Sequence, residues 1–111
     1  MSVYNQDILN YGDDVKDLDC SPYEHLRMLH DRTEIEKNIH LLDRNEKNML
    51  IMYDAMLLSK LEEMLEQISQ VYDFSLSDVN NISIKYWWWH LDKIANGKLE
   101  IKYNVSVDKV M

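Results

Sequence analysis

Residues 50–71, LIMYDAMLLSKLEEMLEQISQV, decide the fold. Leu50, Tyr53, Leu57, Leu61, Met64, Ile68 and Val71 recur at steps of three and four, the spacing that gathers side chains on one side of an α-helix. Leu58 and Leu65 flank this stripe, and Glu62, Glu63 and Glu66 turn outward in its second half. The first half carries Met49, Met52 and Met56 on its back and is apolar almost all round. The pattern predicts a helix from about Asp43–Asn45 to Tyr72 that organises the core.

Upstream, Ser21 followed by Pro22 and Glu24 combines an N-cap, a proline at the first helical position and a capping-box acid. A helix is expected to start there, with Met28, Ile35, Ile39 and Leu42 as its inner stripe and Leu29 on the flank. Asp43 with Glu46 repeats the capping pattern, and a break between the two helices is expected at this point. Residues 1–20 show no sustained period and end in the acidic stretch Gly12 to Asp19, so they read as an arm or loop that orders on contact.

Downstream, a third helix is expected from about Leu76 or Val79 to Asn96, ended by Gly97 in the left-handed conformation. Leu99, Ile101, Tyr103, Val105 and Val107 then alternate with Lys98, Glu100, Lys102, Asn104 and Ser106, a strand pattern. Such a strand needs a partner: the Val3–Leu9 segment or the same strand of a second subunit. The expected fold is mainly α, three principal helices in a small bundle with a short C-terminal β-strand. It is one domain, divided into an N-terminal arm (1–20), a helical core (21–97) and a strand and tail (98–111).

Composition agrees with a compact helical globule: 111 residues, 46% hydrophobic, 29% charged, with Gly (2) and Pro (1) scarce. The longest apolar run, Met49 to Tyr53, is far short of the roughly 20 residues that cross a bilayer. The N-terminus lacks the basic and apolar pattern of a signal peptide, and the single Cys20 suits a reducing compartment, so a cytoplasmic location is expected. The net charge of −8 is uneven: −5 over residues 1–24, 0 over 25–53, −5 over 54–78 and +2 over 85–111. That field repels phosphate backbones and would steer a basic protein surface; keeping a small protein soluble is its plainer use.

The run Tyr86-Trp87-Trp88-Trp89-His90 would cover every side of a helix, because each residue advances about 100°. On a helical wheel Ile84, Trp87, Trp88, Leu91, Ile94 and Ala95 share one arc, the expected core face. Ile82, Tyr86 and Trp89 share the other, bordered by Lys85 and Lys93, a mixture enriched at protein contacts. Trp89 and Tyr86 are therefore the expected contact anchors, with Met52 and Met56 extending the patch; burial of Trp89 within the chain is the competing expectation. Base stacking is disfavoured by the acidity.

Arg32 and Asp54 each interrupt an apolar stripe, and antiparallel packing of the two helices would join them as a buried, hydrogen-bonded pair. Glu36 with His40 and His30 with Glu34 lie one turn apart but lack the Glu-x-x-His elements of a di-iron bundle. In Asp13–Glu24, Val15 and Leu18 stand where a calcium loop needs an oxygen ligand and glycine. No metal or cofactor is expected. Cys20, near a helix start and followed by His25 and His30, forms no nucleophile site by itself.

The functional expectation is a small acidic protein-binding module that inhibits or regulates a basic protein, of the physical type of antitoxins, immunity proteins and phage-encoded inhibitors, rather than an enzyme. A homo-oligomeric structural or accessory subunit, such as a homodimer, is the alternative. A carboxylate- or metal-dependent enzyme using Asp54, Glu62, Glu63 or Glu66 is the third.

Overall fold

A computed structural model describes residues 2–101. Six α-helices follow one another among these residues: α1 (Asn5–Lys16), α2 (Pro22–Lys37), α3 (Arg44–Ser59), α4 (Leu61–Ser69), α5 (Ser75–Val79) and α6 (Leu91–Ala95). Short 3-10 turns at Ile39–Leu41 and Trp87–Trp89 complete the order. α1 packs against both α2 and α3, α2 packs against α4, and α4 packs against α6. None of the helices is long and apolar enough to cross a membrane.

Both capping boxes form. The Glu24 amide donates to Ser21 Oγ at 3.1 Å and the Ser21 amide to Glu24 Oε1 at 3.2 Å, which starts α2. The Glu46 amide donates to Asp43 Oδ1 at 2.8 Å and the Asp43 amide to Glu46 Oε1 at 2.9 Å, which starts α3 after the expected break. Glu46 does more than cap: its other oxygen accepts from the amide and hydroxyl of Ser2, both at 2.9 Å, and pins the chain start to α3. Burial alone would raise the Glu46 pKa, but the donors from Asp43 and Ser2 outweigh it and hold the carboxyl below its ordinary value.

The stretch read as an acidic arm is instead α1, and it is central. Ile8, Tyr11, Gly12 and Val15 are buried on one face, the three-and-four spacing of an amphipathic helix. Gly12 makes the burial possible, because a Cβ there would lie 2.4 Å from the Tyr53 ring of α3. The acids that obscure the pattern, Asp7, Asp13 and Asp17, are exposed.

The single helix expected from about residue 43 to Tyr72 is two. Lys60 leaves helical geometry (φ −113°, ψ 26°), and Ser59 Oγ donates to the Met56 carbonyl at 2.6 Å, a local bond that competes with helix continuation. The break releases the Lys60 ammonium to donate to the carbonyls of Val15 and Lys16 at 3.2 Å, where α1 ends. It also turns α4 toward α2 and α6, away from α1.

The helix expected through the aromatic run does not form either. α5 ends after five residues, and Asn81 adopts a left-handed φ of 55°. The chain then passes a Ser83 turn, in which the Lys85 amide donates to Ser83 Oγ, and the tryptophans occupy one 3-10 turn. Ile82, Ile84 and the rings lose side-chain freedom in a helix, whereas Asn and Ser offer the backbone local alternatives. Three principal helices are thus replaced by four longer ones and two of five residues.

Gly97 takes φ 81°, as the sequence predicts. The Lys98 amide donates to the Lys93 carbonyl at 2.8 Å and the Gly97 amide to the Ile94 carbonyl at 3.2 Å, a Schellman closure of α6. The Leu99 amide also turns back to Lys93, at 3.1 Å. These amides are spent on the helix end, so residues 98–101 form no strand; the rest of the expected strand, 102–107, lies outside the described residues. Its proposed partner, Val3–Leu9, belongs mostly to α1 and presents no free strand edge.

Candidate functional site

The core polar cluster is the pair expected from the sequence. Arg32 Nε donates to Asp54 Oδ1 at 2.9 Å and its terminal nitrogen to Oδ2 at 2.8 Å, a bidentate contact, while the other terminal nitrogen reaches Glu36 at 3.0 Å. Tyr11 adds a 2.6 Å bond to Asp54 Oδ1 from α1, the helix that separates α2 from α3. Burial works against the Arg32 charge, yet the hydrogen bonds and charge of Asp54 keep its pKa above the ordinary arginine value. Burial, then the Asp54 charge, pushes the Tyr11 hydroxyl well above its usual pKa. With three donors already on it, the Asp54 carboxylate is a structural anchor.

The same Arg32 guanidinium lies 4.2 Å from the Trp88 ring centroid, a cation–π contact that carries the cluster into the aromatic segment. The next residue, Thr33, holds both buried tryptophans. Its Oγ1 accepts from the Trp88 and Trp89 indoles, each at 2.8 Å, and donates to the Leu29 carbonyl at 2.9 Å. Behind Trp89, the Tyr72 hydroxyl and Ser77 Oγ share a 2.7 Å bond, and Ser77 Oγ donates to the Trp89 carbonyl.

Trp89 forms the floor of an open groove of about 580 Å³. His30 stands edge-on to the Trp89 ring at 4.8 Å and Tyr72 at 5.2 Å. One wall is a face of α2, with Leu26, His30, Thr33 and Lys37 at helical spacing; the other is Asn80–Ser83 with Tyr86. Two large apolar side chains flank that second wall in the chain, Val79 at 71% exposure and Ile84 at 61%.

Tyr86 lines the groove, but the expected surface anchor Trp89 is only 6% exposed and presents its ring from beneath. Trp88 is buried as expected, whereas Trp87 is only partly so. The wheel failed because a 3-10 turn, followed by His90 at φ −129°, distributes the rings differently from an α-helix. Lys85 lies 5.6 Å over the Tyr86 ring. Lys93 is drawn away to Asp78 at 2.7 Å and toward His90 Nδ1 at 3.2 Å. His90 Nε2 bonds the Ile82 carbonyl at 2.8 Å, so this histidine braces the wall. Neither Met52, exposed, nor Met56, partly buried, lines the groove. Leu26, His30, Thr33 and Tyr72 lie outside the expected contact residues, although the first three recur with Lys37 at steps of three and four as a second stripe on α2.

Among the described residues, no group of three or more His, Cys, Asp and Glu is placed to hold a metal ion. Cys20 is no activated nucleophile: burial and the neighbouring Asp17 push its thiol up to about 11. The chain matches no protein family, and comparison with curated proteins and with solved structures finds no match.

Proposed function

We propose that the chain is a protein-binding module that occupies or regulates a partner with a basic surface, of the antitoxin, immunity-protein or inhibitor type, working in a reducing compartment such as the cytoplasm. The observation that carries this reading is the exposure of Val79 and Ile84, which flank in the chain the Asn80–Ser83 wall of a groove floored by tryptophan. Large apolar side chains left in water beside an aromatic cleft are characteristic of contact surfaces. The exposed acids Glu62, Glu63 and Glu66 on α4 and Asp7 and Asp13 on α1 supply the field that attracts a basic partner. Tyr86, on the same wall, completes the contact, with Lys85 over its ring.

The test is capture of partners from the source cell by the full chain and by a Val79→Asp, Ile84→Asp variant. A partner retained by the first and lost by the second, at unchanged melting temperature, supports the reading. Equal capture by both removes this surface from the contact.

Self-association is the second reading, favoured by Ile51 and Met52, which are exposed side by side on α3. Light scattering on the wild type and on Met52→Lys decides it: a dimer that the substitution dissociates would place the interface on α3.

A further inference from the structure

We propose that the aromatic groove binds a small carboxylate with a flat apolar body, of the size of an aromatic acid. The inference goes beyond the protein-contact reading and does not rest on it. In a chain of net charge −8, no carboxylate among the described residues lines the groove, whereas Lys37 and His30 do. Lys37 is the formally charged side chain of this lining, and it is a cation.

The groove has the parts such a ligand needs. Its volume, about 580 Å³, lies within the roughly 300–1,000 Å³ of small-ligand pockets. Trp89, Tyr72 and Tyr86 supply aromatic surface for a flat body, and Leu26 and Ile82 close its apolar sides. Polar groups lie above this floor: Lys37 on the α2 wall, and Asn80 and Asn81, whose carboxamides can donate, on the other. Lys37 pairs with Glu34 at 3.8 Å, but both side chains are exposed and the separation is long, so this pair competes weakly with a second carboxylate. Thr33 Oγ1 is saturated by the two indoles and the Leu29 carbonyl. It fixes the floor and leaves the recognition of charge to Lys37.

The full chain is titrated with 3-phenylpropionate and, separately, with uncharged 3-phenylpropionamide, while backbone and indole N–H resonances are followed by NMR. The expected result is saturable binding of the acid, with shifts at the Trp89 indole and at residues 30, 37 and 80–82. The acid should bind at least about tenfold more tightly than the amide. Lys37→Gln, an exposed change that keeps the fold, should abolish this preference. Equal affinity for acid and amide, shifts away from the groove, or no saturation up to about 10 mM acid would overturn the proposal. No partner is present in this titration, so its failure and the failure of the capture experiment are separate results.

Discussion

The Tyr53 ring lies directly over the bare Cα of Gly12, so close that a Cβ would meet three of its ring atoms at 2.4 to 2.6 Å. Two opposing effects can therefore be weighed in one substitution. Gly to Ala in a helix interior normally gains up to about 1 kcal/mol, whereas overpacking a buried contact costs about 1–3 kcal/mol. Sterics should win because Tyr53 is itself buried against α1. Gly12→Ala is expected to lower stability in urea melts, and Gly12→Ala combined with Tyr53→Leu should recover part of the loss. A more stable single variant would show that α1 and α3 do not approach in this way.

Arg32→Met leaves the buried Asp54 carboxylate without its charge partner, and Asp54→Leu leaves Arg32 with Glu36 alone. A cost of about 3–5 kcal/mol is expected from either. The double variant Arg32→Met, Asp54→Leu should be less damaging than the sum of the two single changes, because no stranded charge remains. Strict additivity in chemical denaturation would show that the pair is not coupled.

Thr33→Val keeps the shape and removes the oxygen that receives both the Trp88 and the Trp89 indoles. Two buried donors lose their acceptor, at about 1–3 kcal/mol each if water does not enter. Thr33→Ser retains the acceptor and should lie much nearer the wild type. Melting curves, with the two indole N–H resonances as the local readout, distinguish the cases.

Glu46 gives the pH dependence its sign. Its folded pKa is lowered by the donors from Asp43 and Ser2, so its contribution is complete above the ordinary glutamate range and is lost as pH falls through the lowered folded value. Stability should decline on acidification below about pH 5, with a shallower decline in Glu46→Gln. The Gln variant should start lower at neutral pH and converge on the wild type in acid. Parallel pH curves for the two proteins would contradict this.

The three tryptophans should respond unequally, though not in the order of the helical wheel. Trp88→Ala and Trp89→Ala are each expected to cost about 3–5 kcal/mol, and the partly buried Trp87→Ala less. Thermal melts of the three variants check this ranking, and a mild effect at Trp89 would restore the surface role that its burial contradicts.

Much of the fold could be read wherever a local signal carried it. Ser21-Pro22 with Glu24, and Asp43 with Glu46, placed two helix starts because a cap is a contact among neighbours. Arg32 and Asp54 were legible as a pair because charge within an apolar stripe requires a partner. Gly97 could be placed because a sharp exit from a helix needs a positive φ. α1 was hidden because its weakest-looking residue, Gly12, answers to Tyr53, a tertiary contact with no trace in the local sequence. The break at Lys60 likewise serves the distant α1 carbonyls. The groove was half legible: Tyr86 and Trp89 were on view in the aromatic run, but their roles depended on Asn81 leaving helical geometry, and no helical wheel contains that event.

Arg32 and Thr33, adjacent on α2, tie two halves of the molecule to it: Arg32 binds Asp54, which Tyr11 also bonds, while stacking on Trp88, and Thr33 holds the indoles of the tryptophan turn. α2 therefore acts as a shared beam from which both halves hang, and neither can come away while its bonds to α2 persist. All three tryptophans lie within residues 87–89, toward one end of the sequence, while most helical residues lie before them. Light emitted from that single turn should nevertheless report the loss of α1 and α3, its shift coinciding with the loss of the far-ultraviolet helical signal.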